Sequence, residues 1–397
     1  MTTVEFGALF HFIRNGMNVK QDKSGEGLPI TRIETISDAV VDAVRVGYAG
    51  LTEDQCRNWL LEPGDILLSH INSVDHIGKC AVYRGQPAKL VHGMNLLCLR
   101  SDPTKLLPEF AKYLIRSGQF RSRLANSIKK AVNQASVSIG DLKAIPVALP
   151  PLPEQRRIAE VLDRAEALRA KRRAALAQLD TLTQAIFLDM FGDPATNPKG
   201  WPKKMLAELI SVGPQNGLYK PVGDYGSGTP ILRIDAFYDG MVTKLASLKR
   251  VRISDEEQTL YGLHPGEIVI NRVNSREYLG KSAVIPVLSE PTVFESNVMR
   301  FDVYREAVDP GFLIQYLQTG FVREHILRSA KDAINQSSIN QQDVKALPVF
   351  VPPMAVQQLF TRRLDSTARL DATHRDSLTE LNALFASLQH RAFRGEL

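Results

Sequence analysis

The 397-residue sequence contains only three cysteines, and it lacks any apolar run near the ~18 residues that a membrane-spanning helix needs. Cys56, Cys80 and Cys98 are odd in number and irregularly spaced, so they predict neither a disulfide framework nor a zinc knuckle. The first residues do not follow the basic-then-apolar order of a signal peptide, and we therefore expect a cytoplasmic location. With 49 basic and 43 acidic residues, the net charge of +6 permits nucleic acid as a partner without demonstrating one.

The chain carries an internal repeat. Residues 63–82, PGDILLSHINSVDHIGKCAV, align without gaps with residues 265–284, PGEIVINRVNSREYLGKSAV, at an offset of 202 and with nine identities in twenty. At the same offset, residues 131–151 match residues 333–353 at eleven of 21 positions. A period of about 200 residues is too long for a solenoid, so it indicates two copies of a whole domain and two similar binding events.

Signatures of catalysis and of metal binding are missing. The sequence has no glycine-rich cofactor loop, no Asn-Pro-Pro-aromatic motif of adenine methyltransferases, no Pro-Asp opening of a nuclease motif and no helicase motor sequence, so we expect neither enzymatic activity nor a cofactor. Gly280-Lys281-Ser282 imitates the end of a phosphate-binding loop, but the first glycine of that motif would fall on Ser275. His70, His76 and Cys80 are replaced by Arg, Tyr and Ser in the second copy, which argues against a shared metal site.

Each copy has a mixed pattern. Short apolar runs that follow Pro-Gly turns, such as those at 65–71 and 267–273, predict strands. Residues 108–125 and 310–330 carry apolar side chains at spacings of three and four and predict amphipathic helices. Each copy is therefore predicted to be an α/β globule of roughly 150 residues, and periodicity alone does not supply its strand order.

Two long helices are predicted at 153–190 and 354–393. Pro153 is tolerated in a first turn, and Gly192 followed by Pro194 ends the first helix. Apolar residues alternate at steps of three and four, which is typical of a coiled coil, and antiparallel pairing of the two helices would cover both stripes. The alternative is two ordinary core helices, one in each domain. The predicted packing positions are Ile158, Val161, Leu168, Leu179, Leu182 and Ile186 in the first helix and Phe360, Leu370, Leu381, Leu384 and Leu388 in the second.

A basic run without any acidic residue extends from 112 to 130 and is a candidate for phosphate contacts. The alternative is a solvated helix face. The candidates are Lys112, Arg116, Arg121, Arg123, Lys129 and Lys130 in the first copy and Arg323, Arg328 and Lys331 in the second. Because the second copy adds Glu324, the first copy is expected to contribute more of the salt-dependent binding.

Two loops in each copy are candidates for base contacts. An Ala-x-Asn-Gln-x-Ser segment supplies Asn133 and Gln134 in the first copy and Asn335 and Gln336 in the second. These amides can address adenine, or they can satisfy turns. The other loop keeps a constant Asn-Ser frame while its remaining side chains vary, as a base-reading loop would. Its candidates are His70, Asn72, Ser73 and His76 in the first copy and Arg272, Asn274, Ser275, Arg276 and Tyr278 in the second.

Three segments carry a resemblance to a known family. LPPLPEQRRIAEVLDRAEAL at 149–168, MFGDPATNPKGWP at 190–202 and FRGEL at 393–397 resemble the specificity (S) subunits of type I restriction-modification systems, and the resemblance covers essentially the whole chain. It implies that each globule is a target recognition domain reading one half of a split sequence in double-stranded DNA. It further implies that the helices act as a spacer and dock two methyltransferase subunits, with restriction subunits joining the full complex. Glu154-Gln155 becomes Val356-Gln357 in the second copy, which puts an equivalent role for the glutamate in doubt.

The predicted fold class is mixed α/β (α+β), with two similar globular domains, two long antiparallel coiled-coil helices and an internal pseudo-two-fold repeat. The predicted division is target recognition domain 1 at 1–151, spacer helix 1 at 152–192, target recognition domain 2 at 193–353 and spacer helix 2 at 354–397. The alternative function is a duplicated coiled-coil adaptor that binds only protein.

Overall fold

The structure, a computed structural model, describes residues 2–22, 24–36, 39–94, 96–130, 135–334 and 336–397, and it describes residue 180 by its backbone alone. The chain divides into two compact units. Unit 1 comprises Met1–Ala174 and Arg375–Leu397, and unit 2 comprises Ala175–His374. Each unit therefore holds a globular part together with a portion of each long helix. The four-segment division expected from the sequence stays a prediction.

Unit 1 is built from short strands around one four-stranded antiparallel sheet. Its strands are β1 (Thr2–Glu5), β2 (Phe10–Asn15), β3 (Ile30–Thr31), β4 (Val46–Gly47), β5 (Ile66–Ser69), β6 (Ile71–Asn72), β7 (Cys80–Val82), β8 (Leu96–Ser101), β9 (Lys129–Lys130), β10 (Ala135–Ser136) and β11 (Pro146–Leu149). Its helices are α1 (Glu53–Cys56), α2 (Pro108–Arg116), α3 (Gly118–Ala125), α4 (Ile139–Lys143) and the long α5 (Leu152–Phe191), which continues into unit 2. The main sheet has the order β2-β8-β5-β7. Its inner strand β5 is buried along its whole length, and three of its four residues are apolar.

Unit 2 repeats this plan with additional strands. Its strands are β12 (Lys203–Met205), β13 (Ile210–Asn216), β14 (Tyr225–Leu232), β15 (Phe237–Tyr238), β16 (Gly240–Val242), β17 (Lys249–Val251), β18 (Ile268–Asn271), β19 (Val273–Asn274), β20 (Ser282–Val284), β21 (Val293–Phe294), β22 (Val298–Val303), β23 (Lys331–Ala333), β24 (Gln336–Ser338) and β25 (Pro348–Phe350). Its helices are α6 (Asp255–Tyr261), α7 (Pro310–Leu317), α8 (Gly320–Ser329), α9 (Gln341–Lys345) and α10 (Met354–Ala392), whose last part belongs to unit 1.

The sheet topology confirms that the sequence repeat is a structural repeat. The order β13-β22-β18-β20 in unit 2 matches β2-β8-β5-β7 in unit 1, and two further strands, β16 and β15, extend the unit 2 sheet. The small sheet β19-β24-β23 matches β6-β10-β9, and the pair β12-β25 matches β1-β11. The mixed α/β fold class is therefore correct. The sequence does not supply the strand order, and in both four-strand arrangements neighbouring strands are antiparallel.

Each segment expected to be one amphipathic helix is two helices. In unit 1, α2 ends before Ser117, whose backbone is extended and whose hydroxyl accepts a hydrogen bond from the Phe120 amide at 3.3 Å. In unit 2, Thr319 caps α8 in the same way through the Val322 amide at 3.5 Å. A hydroxyl residue at this point serves better as an N-cap than in a helix interior, and the chain turns there.

Both long helices are present, at Leu152–Phe191 and Met354–Ala392, and their terminal portions pack into the globular cores. In unit 1 the core includes Ile158 and Leu162 from α5 together with Phe385 and Phe393 from the end of α10 and its following turn. Arg169 reinforces this contact, since its Nε donates to Asn382 Oδ1 at 2.7 Å and its guanidinium lies 4.4 Å from the centroid of the Phe385 ring.

In unit 2 the opposite portions of the two helices meet. Phe187 and Phe191 of α5 pack with Phe360 of α10, with ring centroids 5.7 and 5.1 Å apart. Phe312 and Phe350 of the globular part join the same aromatic cluster. In unit 1 the start of α5 packs against the end of α10, and in unit 2 the end of α5 packs against the start of α10. The two helices therefore run antiparallel. The alternative of core helices also holds at these ends, because the helices contribute to both cores.

The buried stripe of each long helix differs from the predicted one by one residue at every second step. Leu168, Leu182, Leu370 and Leu384 are 53%, 38%, 47% and 50% exposed, so their predicted packing role is wrong. Ile158 and Phe360 are buried, whereas Val161, Leu179, Ile186, Leu381 and Leu388 are half-buried. Residues one position later, such as Leu162 and Phe385, are buried instead. A stripe whose residues are spaced three then four apart shares every seventh residue with a stripe spaced four then three apart. The side of the helix that packs against the globular part decides which of the two stripes is buried.

Candidate nucleic-acid interface

Two regions that are far apart in the sequence meet in each small three-stranded sheet. In unit 1, β10 lies between β6 and β9, so Ala135 pairs with Asn72 on one side and with Lys130 on the other. In unit 2, β24 lies between β19 and β23, so Ser337 pairs with Asn274 and with Asp332. We call residues 72–79 and 274–281 the variable loops. Each variable loop thus starts at the small sheet whose other two strands flank the second predicted contact segment in the sequence.

The constant Asn-Ser pair is a structural frame. The Ser73 amide donates to Asn72 Oδ1 at 2.8 Å, and the Ser275 amide donates to Asn274 Oδ1 at the same distance. Both asparagines are half-buried, whereas both serines are exposed. The asparagine Oδ1 of each pair already accepts a hydrogen bond from the next backbone amide. The simplest role of the pair is therefore to hold the loop in the same shape in both copies.

The Gly-Lys dipeptide in both variable loops also serves the turn. Gly78 and Gly280 have φ of 78° and 77°, a region that glycine tolerates without strain. A Cβ on Gly78 would lie 2.5 Å from Arg121 Nη1, and one on Gly280 would lie 2.4 Å from Ile326 Cδ1.

Several arginines of the basic run bind backbone carbonyls of their own unit. Arg121 donates to the Ile77 carbonyl of the first variable loop, and the aligned Arg323 donates to the Glu277 carbonyl of the second at 3.4 Å. Arg123 donates to the Pro146 carbonyl. Arg121 and Arg323 thus brace the variable loops, whereas Arg123 holds β11, and only the exposed part of each guanidinium remains for a ligand.

Two predicted contacts in unit 1 are wrong because the side chains are buried. Lys112 is 8% exposed, and its Nζ lies 2.8 Å from Asp163 Oδ1 of α5. His70 is 5% exposed, and burial lowers its pKa to about 4, so it is neutral at pH 7. Arg116 is partly exposed and lies 3.6 Å from Glu166. The run is free of acids along the chain but not in space, since α5 supplies the carboxylates.

The remaining unit 1 candidates lie at the surface. Ser73, His76, Lys129 and Lys130 are exposed. Among the described residues, neither Lys129 nor Lys130 has an acidic side chain within ion-pair distance. Asn133, Gln134 and the unit 2 residue Asn335 lie outside the described residues.

The unit 2 candidates form a more acidic surface. Arg276 forms an ion pair with Asp332 of β23, and Asp332 Oδ1 also accepts from the Ser337 hydroxyl at 2.6 Å, which lowers the Asp332 pKa. Arg328 pairs with Glu324 at 3.1 Å. These groups line an open groove of about 520 Å³, whose lining residues are Arg276, Glu324, Leu327, Arg328, Ala330 and Asp332. A groove with both signs of charge can bind base edges through donors and acceptors.

The other unit 2 candidates differ in exposure. Arg272 is half-buried and donates to the Ser296 carbonyl at 3.0 Å, so it is held by the fold. Lys331 and Gln336 are exposed on β23 and β24. Tyr278 is 42% exposed and meets Tyr238 edge-to-face with ring centroids 6.3 Å apart.

Sequence reasoning missed Lys281 and Tyr238. Lys281 Nζ lies 3.6 Å from the centroid of the Tyr238 ring, and burial lowers the Lys281 pKa to about 8. The sequence marks Lys281 only through its resemblance to the end of a phosphate-binding loop, and Tyr238 lies on β15, a strand that unit 2 adds to the shared sheet order. Asp332 was missed for a different reason: it stands where unit 1 has Lys130, so only its pairing with Arg276 marks it.

Within the described ranges, no group of three or more His, Cys, Asp or Glu side chains is arranged to hold a metal ion. None of the helices in the described part of the chain is long and apolar enough to cross a membrane.

Comparisons with known proteins agree with the duplicated fold. The family model described as "Type I restriction modification DNA specificity domain" matches residues 1–178. The specificity subunit of the putative type I restriction enzyme MjaX from Methanocaldococcus jannaschii is 29% identical over 378 residues, which cover 91% of this chain and 85% of that protein. The specificity subunit of the type I restriction enzyme StySPI from Salmonella potsdam is 26% identical over 96% of this chain and 84% of that protein.

Solved structures show the same fold at low sequence identity. A chain from a structure concerned with the assembly and conformational transition of the type I R-M system has a TM-score of 0.60 at 17% identity, covering 100% of this chain and 98% of that chain. The type I restriction-modification S subunit from M. genitalium has a TM-score of 0.59 at 13% identity, covering 99% and 96%. The match places residues 1–178 in the class of type I DNA specificity domains. Over most of its length, the chain is similar to specificity subunits of type I restriction-modification systems.

Proposed function

We propose that the chain recognises a bipartite sequence in double-stranded DNA, with the globular part of each unit reading one half. Similarity to specificity subunits of type I restriction enzymes supports sequence-specific recognition and disfavours a protein-only adaptor. The variable loops, together with β9–β10 in unit 1 and β23–β24 in unit 2, are the proposed contact surfaces.

One observation carries this proposal: the two small sheets keep the same frame while their exposed side chains differ. His76 of unit 1 aligns with Tyr278 of unit 2, and Lys130 aligns with Asp332. The hydrogen bonds of the Asn-Ser frame and the positive-φ glycine of the loop are the same in both. Base edges are distinguished by donor and acceptor patterns, so two surfaces of equal shape and unequal polar groups suit two different half-sites.

We further propose that α5 and α10 set the spacing between the half-sites and dock two methyltransferase subunits, with restriction subunits joining the complex. At about 1.5 Å per residue, the 40 residues of α5 extend about 60 Å, enough to accommodate half-sites one helical turn of DNA apart, about 34–36 Å. In this role the chain is itself non-catalytic and acts in the cytoplasm.

The modular part of the proposal is tested by exchanging residues 1–151 for the corresponding part of another specificity subunit. The target of the complex with methyltransferase subunits is then determined by mapping modified bases in cellular DNA. We expect one half-site to change while the other half-site stays the same. A change in both halves contradicts modular reading.

The adaptor alternative is tested with purified complex. It should bind a duplex carrying the mapped bipartite target far more tightly than a scrambled duplex at the same salt concentration. Equal affinity for both duplexes at every salt concentration would refute sequence-specific recognition.

Inserting four residues into each long helix, about 6 Å, should change the preferred spacer and leave both half-sites intact. An unchanged spacer removes the helices from this role.

A further inference from the structure

A buried glutamine lies in the first turn of each long helix. Gln155 of α5 and Gln357 of α10 are both 0% exposed. Each lies three residues before a buried apolar side chain on the same helix face, Ile158 in α5 and Phe360 in α10. A polar amide thus occupies a position of the apolar stripe. A methionine of similar length would be buried there without the free-energy cost of removing an amide group from water.

In unit 1 the Gln155 amide binds two separate segments of the globular part. Its Oε1 accepts from the Leu107 amide at 3.0 Å, and its Nε2 donates to the carbonyls of Lys105 at 2.8 Å and Pro150 at 2.9 Å. Lys105 and Leu107 belong to the turn that leads into α2, and Pro150 follows the last strand β11. One side chain therefore joins the helix start to two points of its domain.

In unit 2 the same three bonds recur at the same offset of 202 residues. Gln357 Oε1 accepts from the Asp309 amide at 2.9 Å, and its Nε2 donates to the carbonyls of Pro352 at 2.7 Å and Ala307 at 3.5 Å. The preceding residue differs completely between the copies, Glu154 against Val356. The amide contacts thus repeat in detail where the adjacent side chain does not.

Hydrogen bonds weaken steeply when the donor angle departs from linearity, so three bonds to two segments restrict the direction in which a helix leaves its domain. An apolar side chain packs without such directional preference. A fully satisfied buried polar group fixes a specific geometry, which is what a spacer helix needs at its attachment point.

We propose that Gln155 and Gln357 are positioning residues that fix how each long helix joins its recognition domain, and that they thereby set the spacing at which the two half-sites are accepted. This inference rests on the proposed function of the helices as a spacer.

The test uses the complex of the full chain with its methyltransferase subunits and a set of duplexes. The duplexes carry both mapped half-sites with the native spacer, or with the spacer changed by one or two base pairs. The variants are Gln155→Met and Gln357→Met. The matched controls are Gln178→Met and Gln358→Met, because Gln178 and Gln358 are exposed on the same two helices.

We expect both joint variants to lose spacer discrimination. The affinity ratio of the native spacer over a spacer changed by one base pair should fall roughly fivefold, the factor expected for losing about one net hydrogen bond of geometric restraint. The penalty for a base substitution within either half-site should stay the same, and the control variants should behave as the unmodified chain. A role limited to stability would lower the melting temperature without changing the spacer ratio.

The outcomes separate the two proposals. If the unmodified chain itself accepts all spacers equally, the spacer function of the helices fails. If the unmodified chain discriminates and the folded joint variants keep the same ratio, the joint inference is overturned. If both variants fail to fold, amide hydrogen exchange of the unmodified complex decides, because the Leu107 and Asp309 amides must then be strongly protected. Rapid exchange at these two amides overturns the inference as well.

Discussion

Replacing Lys129 and Lys130 together by alanine should reduce the salt dependence of DNA binding. Both lysines are exposed on β9, next to the strand that pairs with Asn72 of the first variable loop. No described acidic side chain neutralises them, so their charge is available to phosphates. A lysine that neutralises a phosphate releases counterions, and log K then falls with log salt by about 0.9 per contact.

The size of the effect follows from the strand geometry. Adjacent residues on a strand point to opposite faces, so the pair supplies between one and two phosphate contacts. The slope of log K against log salt should therefore become shallower by about 0.9 to 1.8. At about 0.1 M salt this corresponds to a loss of affinity between about eightfold and sixtyfold, which shrinks as the salt concentration rises toward 1 M.

The assay is a titration of labelled target duplex with the methyltransferase complex, followed by fluorescence anisotropy between about 50 and 200 mM salt. The matched control is the double alanine variant of Lys203 and Lys204, which are also adjacent, exposed and on a short strand, β12. Both variants change the net charge by the same amount. If the two variants show the same slope, the effect belongs to overall charge, and the proposed contact surface at β9 is refuted.

Three further predictions concern the folded units. Leu162→Ala should lower the free energy of unfolding by about 2–5 kcal/mol and Leu168→Ala by less than about 0.5 kcal/mol, as measured by urea denaturation; the reverse order would restore the helix register predicted from the sequence. Phe187→Ala should cost about 3–5 kcal/mol because it removes the centre of the unit 2 aromatic cluster, whereas the 44% exposed neighbour Leu188 should tolerate alanine; equal losses would contradict the burial of this face. Burial lowers the pKa of His70 in the folded chain to about 4, whereas its ordinary pKa in the unfolded chain is about 6.5. Between these two pH values, His70 of the unfolded chain therefore binds a proton that the folded chain does not bind. Stability contributed by neutral His70 is thus complete above pH 6.5 and declines by about 1–2 kcal/mol on going to pH 5, and His70→Gln should remove this part of the decline; an identical pH dependence in the variant would show that His70 does not cause it.

The features that the sequence predicts well are those encoded locally. Strand β5 begins with three consecutive apolar residues, and both long helices are uninterrupted by Gly or Pro after their first turns. The repeat was visible because identical residues such as the Asn-Ser pair maintain the same turn in both copies. Local patterns of this kind need no knowledge of the tertiary partner.

The features that the sequence predicts poorly depend on residues far away in the chain. The sequence predicts a DNA contact for Lys112 because it begins a run without acidic residues, yet Asp163, 51 positions later, binds it at 2.8 Å. The helix register was wrong by one residue because Leu162 rather than Val161 faces the unit 1 core. Helical periodicity defines a stripe within about one residue, and only the packing partner selects the buried edge of that stripe.

The two proposed contact surfaces differ in the sign of charge at one register position. Lys130 in unit 1 and Asp332 in unit 2 occupy the same place in their small sheets. A carboxylate repels phosphate, but it accepts a hydrogen bond from the amino group of cytosine, and here it holds the Arg276 guanidinium, whose preferred base is guanine. Unit 1 should therefore supply most of the salt-dependent affinity, while unit 2 relies more on base edges. Substitutions at Asp332 should accordingly change which second half-site is preferred and leave the salt slope nearly as it was, whereas substitutions at Lys130 should do the opposite.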